Sequence, residues 1–400
     1  MRLNQIDGAR GFFLLSMMLG HLASFIPSHV GRLTHHSNGF VDSAQGFVTI
    51  SGIVIGLVFG RRLLHDEVGV VRRKLLSRIG VLWRWQVFLL ASVIVISACL
   101  PNVPTAIAAQ AGDMPWLTAL LGATLISGPV FVDILPMYLI FMVFTPAALV
   151  AMNRGQWARV AAVSLMAWAL GQTNIPEIAL RAFFDQTGLV DQGAYVALYF
   201  NRLGWQVLYF AGLAGGFLMA QNRLSLGFMH GVIGRNLALA SILLAIVFFA
   251  LPRLVAYGGL EVETNNFLFS LFDRQSMTPL RIAVFAAHFY LALWILIVAP
   301  TARARWMRSL SHKLNALLTW RPLVLLGQHS LPVYAWHVLL CYLLAIFAAT
   351  GLNAAPWFIR EVVAVLTALT LFVPAIFHAQ FQRYVRVSRP VHSFAARKSI

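Results

Sequence analysis

Long runs of apolar residues, almost without charge, dominate this sequence. Four of them cover residues 80–100, 237–251 with their flanks, 280–300 and 362–377. A helical run of about 18 apolar residues or more is long enough to cross the hydrocarbon core of a bilayer. Sixty per cent of the chain is hydrophobic and only 11% is charged, whereas roughly a quarter of the residues in soluble domains are charged. We therefore predict an all-α integral membrane protein.

Hydropathy and turn residues divide the chain into a polytopic bundle of about ten transmembrane helices. Segments of about ten residues in which apolar and polar residues alternate are typical of outer-membrane β-barrels, and the sequence shows no such segments. The segment 114–128 is too short to span comfortably and is predicted to be interfacial or re-entrant. The stretch 172–202 is a second segment that could dip into the membrane. The predicted spans are residues 8–27, 39–60, 79–100, 131–152, 157–172, 203–221, 236–252, 279–300, 323–348 and 357–378.

Lys and Arg are distributed unevenly between the two sets of connecting segments. Of the 30 basic residues, 22 fall on the set that contains both termini, five on the opposite set, and three within or at the ends of spans. Because basic segments remain in the cytoplasm, both termini are predicted to be cytoplasmic. We predict one membrane domain over residues 1–400 with a basic tail at about 379–400. The basic runs 61–62 and 72–74 then contact anionic lipids, and no nucleic-acid partner is expected.

Small residues within the spans are predicted to serve helix packing. Gly52, Gly56 and Gly60 are four residues apart, which is typical of a close-packing stripe between membrane helices. Cys99 and Cys341 lie in apolar runs and show neither a disulfide framework nor metal-ligand spacing. We interpret both cysteines as core residues and expect no metal site.

Ionisable and polar side chains within the spans are the candidates for function. Burying one in a bilayer costs on the order of 2.5–3.5 kcal/mol, so such groups face the bundle interior and tend to be functional. The candidates are Arg10, His21, Asp42, Gln45, Asp133, Tyr138, Arg281, His288, Gln328, His329, Ser330, His337 and His378.

Arg10 and His21 carry the strongest functional signal among these residues. They are eleven residues apart, which on a helix places them on nearly the same face and about 16 Å apart. Arginine stays charged and binds phosphate or carboxylate, whereas histidine changes protonation near neutral pH and serves as a base. The hypothesis is that Arg10 binds the phosphate of coenzyme A and that His21 acts on the thioester. The alternative is that His21 is a hydrogen-bonded core residue. The first helix has no convincing cleavage site and is predicted to be retained.

Two further interpretations concern pairing between helices. Arg281 lies near the predicted outer surface, at the level of Asp42 and Asp133, and is expected to pair with one of them. His337 and His378 are expected to hydrogen-bond to neighbouring helices rather than to bind substrate.

Five sequence blocks, spread along the whole chain, resemble a known family. The chain is similar to the OpgC family of the acyltransferase-3 superfamily, whose members modify osmoregulated periplasmic glucans, usually with succinyl groups. It departs from the family pattern at Gln45, where an acid is common, and at Gln328, where an arginine is common. The blocks are QIDGARGFFLLSMMLGH (5–21), NGFVDSAQGFVTISGIVIGLVFGR (38–61), VDILPMYLIFMVFTPAAL (132–149), PLRIAVFAAHFYLAL (279–293) and LLGQHSLPVYAWHVLL (325–340).

The resemblance implies acyl transfer across the bacterial inner membrane. The donor would be cytoplasmic acyl-coenzyme A, with succinyl-coenzyme A expected, and the acceptor a hydroxyl group of periplasmic glucan. No permanently bound cofactor is implied, and glucan-synthesis proteins and membrane lipids are the further partners expected.

The resemblance also implies roles for individual residues. His21, Asp42 and Asp133 are the expected catalytic residues, and Arg10 is the expected donor-binding residue. The expected substrate-binding residues are Tyr138, Arg281, His288, His329 and Ser330.

Three alternatives stay open at the level of sequence. The enzyme could be an O-acetyltransferase of another envelope polysaccharide, or the protein could be a proton-coupled secondary transporter. Against transport, the chain shows no repeated halves and no paired broken helices. Transfer could be direct or could pass through an acyl-histidine.

Overall fold

A computed structural model describes residues 4–32, 34, 41–99, 114–189, 199–256, 267, 270–349 and 351–387. Over these residues the regular secondary structure is helical, without a strand, as the hydropathy of the sequence predicts. The helices are α1 Asn4–Ala23, α2 His29–Arg32, α3 Ser43–Leu63, α4 Val68–Cys99, α5 Pro115–Ala123, α6 Ile134–Asn153, α7 Trp157–Gln172, α8 Ile175–Gln186, α9 Arg202–Ala220, α10 Val232–Ala256, α11 Pro279–Ile297, α12 Arg305–Leu318, α13 Arg321–Gln328, α14 Ser330–Ala349, α15 Trp357–Thr370 and α16 Phe372–Val387.

Eight helical segments in the described part of the chain are long and apolar enough to cross a membrane. They are Ser43–Leu63, Val68–Cys99, Ile134–Asn153, Arg202–Ala220, Val232–Leu251, Pro279–Thr301, Ser330–Ala349 and Trp357–Val385. The chain is therefore a multi-pass membrane protein. The predicted spans 8–27 and 157–172 are also helical, but α1 begins with polar residues and α7 has only 16 residues, so neither is among the eight. A total of about ten spans stays a prediction, as does the cytoplasmic location of the termini.

Two of the predicted spans are broken helices, which corrects the sequence interpretation that the chain has no paired broken helices. The predicted span 323–348 is divided at His329 into α13 and α14, and the span 357–378 is divided at Leu371 into α15 and α16. In each case a proline follows the break by three residues, Pro332 in α14 and Pro374 in α16. Proline has no N–H to donate to the carbonyl four residues earlier, so the helix is interrupted there.

Glycines bring α3 and α9 into backbone contact. A Cβ atom at Gly52 or Gly56 would collide with α9 backbone carbonyls, and one at Gly212 or Gly216 would collide with α3 backbone carbonyls. This confirms the packing predicted from the glycine spacing in α3. The close approach is the small-residue packing by which membrane helices gain dispersion energy without a hydrophobic driving force.

Helix α1 lies inside the bundle, in contact with α3, α13 and α14. Its approach to α13 again depends on glycine: a Cβ at Gly11 would collide with the Leu323 carbonyl, and one at Gly327 with the Asp7 carbonyl. Leu14, Met17, Met18 and Leu22 are fully buried along α1. Tight packing on several sides therefore fixes the rotation of α1, and with it the direction of Arg10 and His21.

The segment predicted to be interfacial or re-entrant contains α5 and the loop that follows it. With nine residues α5 is too short to span a membrane. It packs on α4, where the Trp83 indole donates to the Ala123 carbonyl at 3.0 Å. The loop then enters α6 through Phe131, whose φ of 67° is left-handed although the residue is not glycine.

In the second segment that was expected to dip, α8 is a 12-residue helix, and residues 190–198 lie outside the described part.

Candidate active site

Arg10 and His21 both point at one face of α14. The Arg10 Nη2 donates to the Ser330 Oγ at 2.5 Å. The His21 Nδ1 lies 3.0 Å from the His337 Nε2, which is a hydrogen bond between two imidazoles. Ser330 and His337 are seven residues apart, so they share a helix face two turns apart. Both members of the predicted pair therefore point into the protein and not to lipid.

A cavity of about 40 Å³ surrounds the Arg10 guanidinium. Its polar lining consists of Arg10, Ser51, Arg78, Tyr138, Ser330 and Tyr334. The guanidinium also lies over the Phe47 ring, at 5.7 Å from the ring centroid, and the buried Arg10 Nε has no hydrogen-bond partner among the described residues. Two guanidiniums and several hydroxyl groups face this space, which is the chemistry that recognises an anion.

His21 lies between an aromatic ring and the second imidazole. The Phe131 ring stacks on His21 with 4.2 Å between ring centroids, and the His337 ring is 5.1 Å away. Two hydroxyl groups of α14 hold the Phe131 loop in place: the Tyr334 Oη donates to the Phe131 carbonyl and the Tyr342 Oη donates to the Val130 carbonyl at 2.8 Å. A left-handed non-glycine residue costs about 1–3 kcal/mol, so contacts such as these must hold it. Phe131, the residue with the left-handed backbone, is also the residue that stacks on His21, the candidate base.

Cys341 completes a group of three at this level. The ligand atoms of His21, His337 and Cys341 all lie within 4.8 Å of one another, and both α14 residues are fully buried. Sequence spacing does not reveal this proximity, because His21 is on α1 and the other two residues are on α14. Within this group of three, the 3.0 Å contact between His21 and His337 is the hydrogen bond between their imidazoles.

Asp42 lies in an ion cluster at the predicted outer end of the bundle. Its Oδ2 accepts from the Arg274 Nε at 2.8 Å and from the Arg281 Nη2 at 3.2 Å. Its Oδ1 accepts from the Gln45 N–H, while the Gln45 side chain accepts from the Asp42 N–H, so the pair forms a capping box on α3. The structure thus selects Asp42 over Asp133 as the partner of Arg281.

Asp133 is at the N-cap position of α6, two residues after Phe131, and makes no side-chain cap bond. It lines a small pocket with Ser127, Tyr199, Phe200 and Arg202. The Arg274 guanidinium lies over the Phe200 ring at 4.9 Å, which links this pocket to the Asp42 cluster. The predicted outer end of the candidate site therefore combines carboxylates, guanidiniums and aromatic rings.

The remaining predicted residues divide between the Arg10 cavity and positions away from it. Tyr138 and Ser330 line the cavity. His329 occupies the break before α14, where its Nδ1 is 2.8 Å from the His378 Nδ1. His288 is half-buried on α11, and its Nδ1 contacts the Val284 carbonyl of its own helix at 2.8 Å. The expectation that His337 and His378 hydrogen-bond to neighbouring helices is confirmed.

Arg78, Phe131 and Arg274 belong to the site but were not candidates from the sequence. Arg78 and Arg274 were counted only as charges that set the orientation of the chain. Phe131 is one of 29 phenylalanines and has no distinctive local pattern. His337 was a candidate, but it was expected to hydrogen-bond to a neighbouring helix without a site role; its spacing of seven residues from Ser330 was the signal that could have placed it beside His21.

No curated protein and no solved structure gives a significant match to this chain. One protein-family model, described as OpgC protein, matches residues 2–383, which is nearly the whole chain. The matched range contains the residues of the candidate site described above, and the match shows that the chain belongs to the OpgC family.

Proposed function

We propose that this protein is a transmembrane O-acyltransferase of the acyltransferase-3 type. It transfers an acyl group, succinyl in our proposal, from cytoplasmic acyl-coenzyme A to hydroxyl groups of osmoregulated periplasmic glucan, in the bacterial inner membrane. The observation that supports the proposal most is the inward orientation of Arg10 and His21 along one helix, each hydrogen-bonded to α14. Membership of the OpgC family supports it independently.

Arg10 binds the donor in this proposal. Its guanidinium faces a cavity together with Arg78 and with the hydroxyl groups of Tyr138 and Ser330. A phosphate oxygen of coenzyme A would meet two cations there. The distance of about 16 Å along α1 from Arg10 to His21 suits the pantetheine arm, which extends from the phosphates to the thioester.

His21 is the proposed general base. As the glucan oxygen attacks the thioester carbonyl, His21 accepts the hydroxyl proton, and coenzyme A then leaves as a thiol that carries this proton. A general base of this kind contributes roughly 10²- to 10⁴-fold to the rate. The Phe131 loop covers one face of the imidazole and limits how substrates approach it.

The outer end of the bundle is the proposed acceptor side. Asp133, Tyr199 and Arg202 supply a carboxylate, a phenol and a guanidinium around one small pocket, and groups of these kinds hydrogen-bond to sugar hydroxyls. Asp42 and Arg281 support this end by linking the start of α3 to α11 through an ion pair. His288 and His329 keep their proposed substrate-binding roles at positions away from the reacting groups.

Mass spectrometry of the glucan after incubation tests the proposal. Purified protein in lipid nanodiscs is incubated with succinyl-coenzyme A or acetyl-coenzyme A and with linear or cyclic glucan. The proposal expects glucan that is heavier by one succinyl group, with release of an equal amount of free thiol. Addition of an acetyl group would instead identify an acetyltransferase. Unmodified glucan with either donor would refute acyl transfer to glucan and favour transport.

A further inference from the structure

One face of α14 contacts both members of the Arg10–His21 pair. Ser330 binds Arg10 and His337 binds His21. Seven residues of helix rise by about 10 Å, whereas the eleven residues between Arg10 and His21 rise by about 16 Å. The rise along α1 exceeds the rise along α14 by about the length of an arginine side chain. The long Arg10 side chain can therefore reach Ser330 while His21 contacts His337.

His337 has the burial expected of a residue that positions another. Its side chain is fully buried, while His21 is only partly buried. The Tyr334 ring packs on His337 edge to face at 5.4 Å, and the same tyrosine donates to the Phe131 carbonyl. His21 therefore has Phe131 on one side and His337 on another, and Tyr334 contacts both of these residues.

We propose that His337 is the positioning residue of the candidate base His21. The proposal rests on the function proposed above. One proton lies between the His21 Nδ1 and the His337 Nε2, since one nitrogen donates and the other accepts. When His21 takes up the substrate proton, its Nδ1–H donates to a neutral His337, which holds the ring direction and favours the charged form. The neutral imidazole thus takes the place that a carboxylate has in the Ser-His-Asp triad.

Kinetics of three variants test this role. His337→Ala is expected to lower kcat by about 10- to 100-fold, the loss typical of an outer partner that orients an active group. The KM for acyl-coenzyme A should be unchanged, because the Arg10–Ser330 contact is untouched. His337→Gln, whose amide reaches the position of the imidazole Nε2, should restore much of kcat. Val338→Ala, on the same helix and equally buried but packed in the hydrophobic core, should retain wild-type kcat.

A second measurement needs no substrate. Diethyl pyrocarbonate modifies accessible imidazoles, and peptide mass spectrometry gives the rate at His21. Removal of the partner in His337→Ala should change this rate severalfold, while His337→Gln and Val338→Ala should stay close to wild type. Size-exclusion chromatography identifies any variant that does not fold. If His337→Ala fails, His337→Leu provides the test, because leucine fills the buried space without an atom that can hydrogen-bond to His21, and it should lower kcat as His337→Ala would.

The outcomes separate this inference from the proposed function. Wild-type kcat in His337→Ala, or equal effects of His337→Ala and Val338→Ala, would overturn the positioning role. Stoichiometric metal in the purified protein, lost in both His21→Ala and His337→Ala, would also overturn it, since the imidazoles would then be ligands. An altered His21 reactivity in His337→Ala, with no acylation of glucan by the wild type, would support the pairing and refute the transferase.

Discussion

At the residue scale, Arg10 combines a charge with an incomplete set of hydrogen bonds. Its Nη2 is satisfied by Ser330, but its buried Nε has no partner among the described residues. An unpaired buried donor is costly, by about 1–3 kcal/mol. A bound anion would reduce that cost, which is a physical reason to expect a ligand here.

Substitution of Arg10 should therefore affect donor binding more than chemistry. We expect Arg10→Ala to raise the KM for acyl-coenzyme A by about 10-fold or more, because a hydrogen bond to a charged group is worth about 1.5–3 kcal/mol. Arg10→Lys should recover only part of the loss, since lysine lacks the planar fork of donors. Initial rates at varied donor concentration measure both effects. An unchanged KM in Arg10→Ala would place the phosphates elsewhere.

His21 should show the opposite kinetic pattern. We expect His21→Ala to lower kcat by roughly 10²-fold or more, the contribution of a general base, with little change in donor KM. Because His21 is only partly buried, the variant should still fold, which size-exclusion chromatography and circular dichroism verify. Wild-type turnover in folded His21→Ala would show that another group is the base.

At the element scale, glycines determine how closely α3 and α9 approach. Gly212 faces the Thr49 carbonyl of α3, whereas Gly215, on the same helix, has no atom within 4 Å of a Cβ position. The same substitution at these two sites therefore has opposite expected effects.

Gly212→Ala should destabilise the protein by about 1–3 kcal/mol, since the added methyl group forces the two backbones apart. Gly215→Ala should be neutral or stabilising by up to about 1 kcal/mol, because alanine is the better helix former. Thermal unfolding in the same detergent compares them. Equal unfolding temperatures for the two variants would contradict the close contact of α3 and α9.

The membrane helices show which features of the fold the apolar pattern of the sequence predicts and which it does not. The apolar pattern located eight spans because the length and composition of a segment decide whether it suits a bilayer. It missed the breaks at His329 and Leu371, although Pro332 and Pro374 provide a local signal for both. These breaks matter for function, because the first one places Ser330 at the start of α14, where it meets Arg10.

At the scale of the whole molecule, the proposed steps follow one direction along the bundle. The Arg10 cavity lies beside the first half of α1, His21 lies near the other end of the helix, and the Phe131 loop leads from His21 to Asp133. Donor, chemistry and acceptor are thus arranged in series. This arrangement serves transfer across a membrane only if the basic face of the protein is cytoplasmic.

Cysteine labelling tests that orientation. In a background with Cys99→Ser and Cys341→Ser, we expect Ser309→Cys on α12 to react with a membrane-impermeant maleimide only in inverted vesicles. Gln186→Cys on α8 should react only in right-side-out vesicles, because α8 lies on the predicted outer side. Both positions are exposed, so accessibility differs only by the side of the membrane. The reverse labelling pattern would invert the donor and acceptor sides.

The sequence by itself determined the class of this protein, the position of most spans and the inward Arg10–His21 stripe. These properties are local, because the transfer free energy of a segment and the face of a helix depend on its own residues. Only the tertiary structure decided the partners: His337 for His21 across 316 residues of chain, Asp42 rather than Asp133 for Arg281, and Phe131 over the imidazole. Such contacts depend on the rotation and register of packed helices, which the glycine contacts set between segments far apart in the chain.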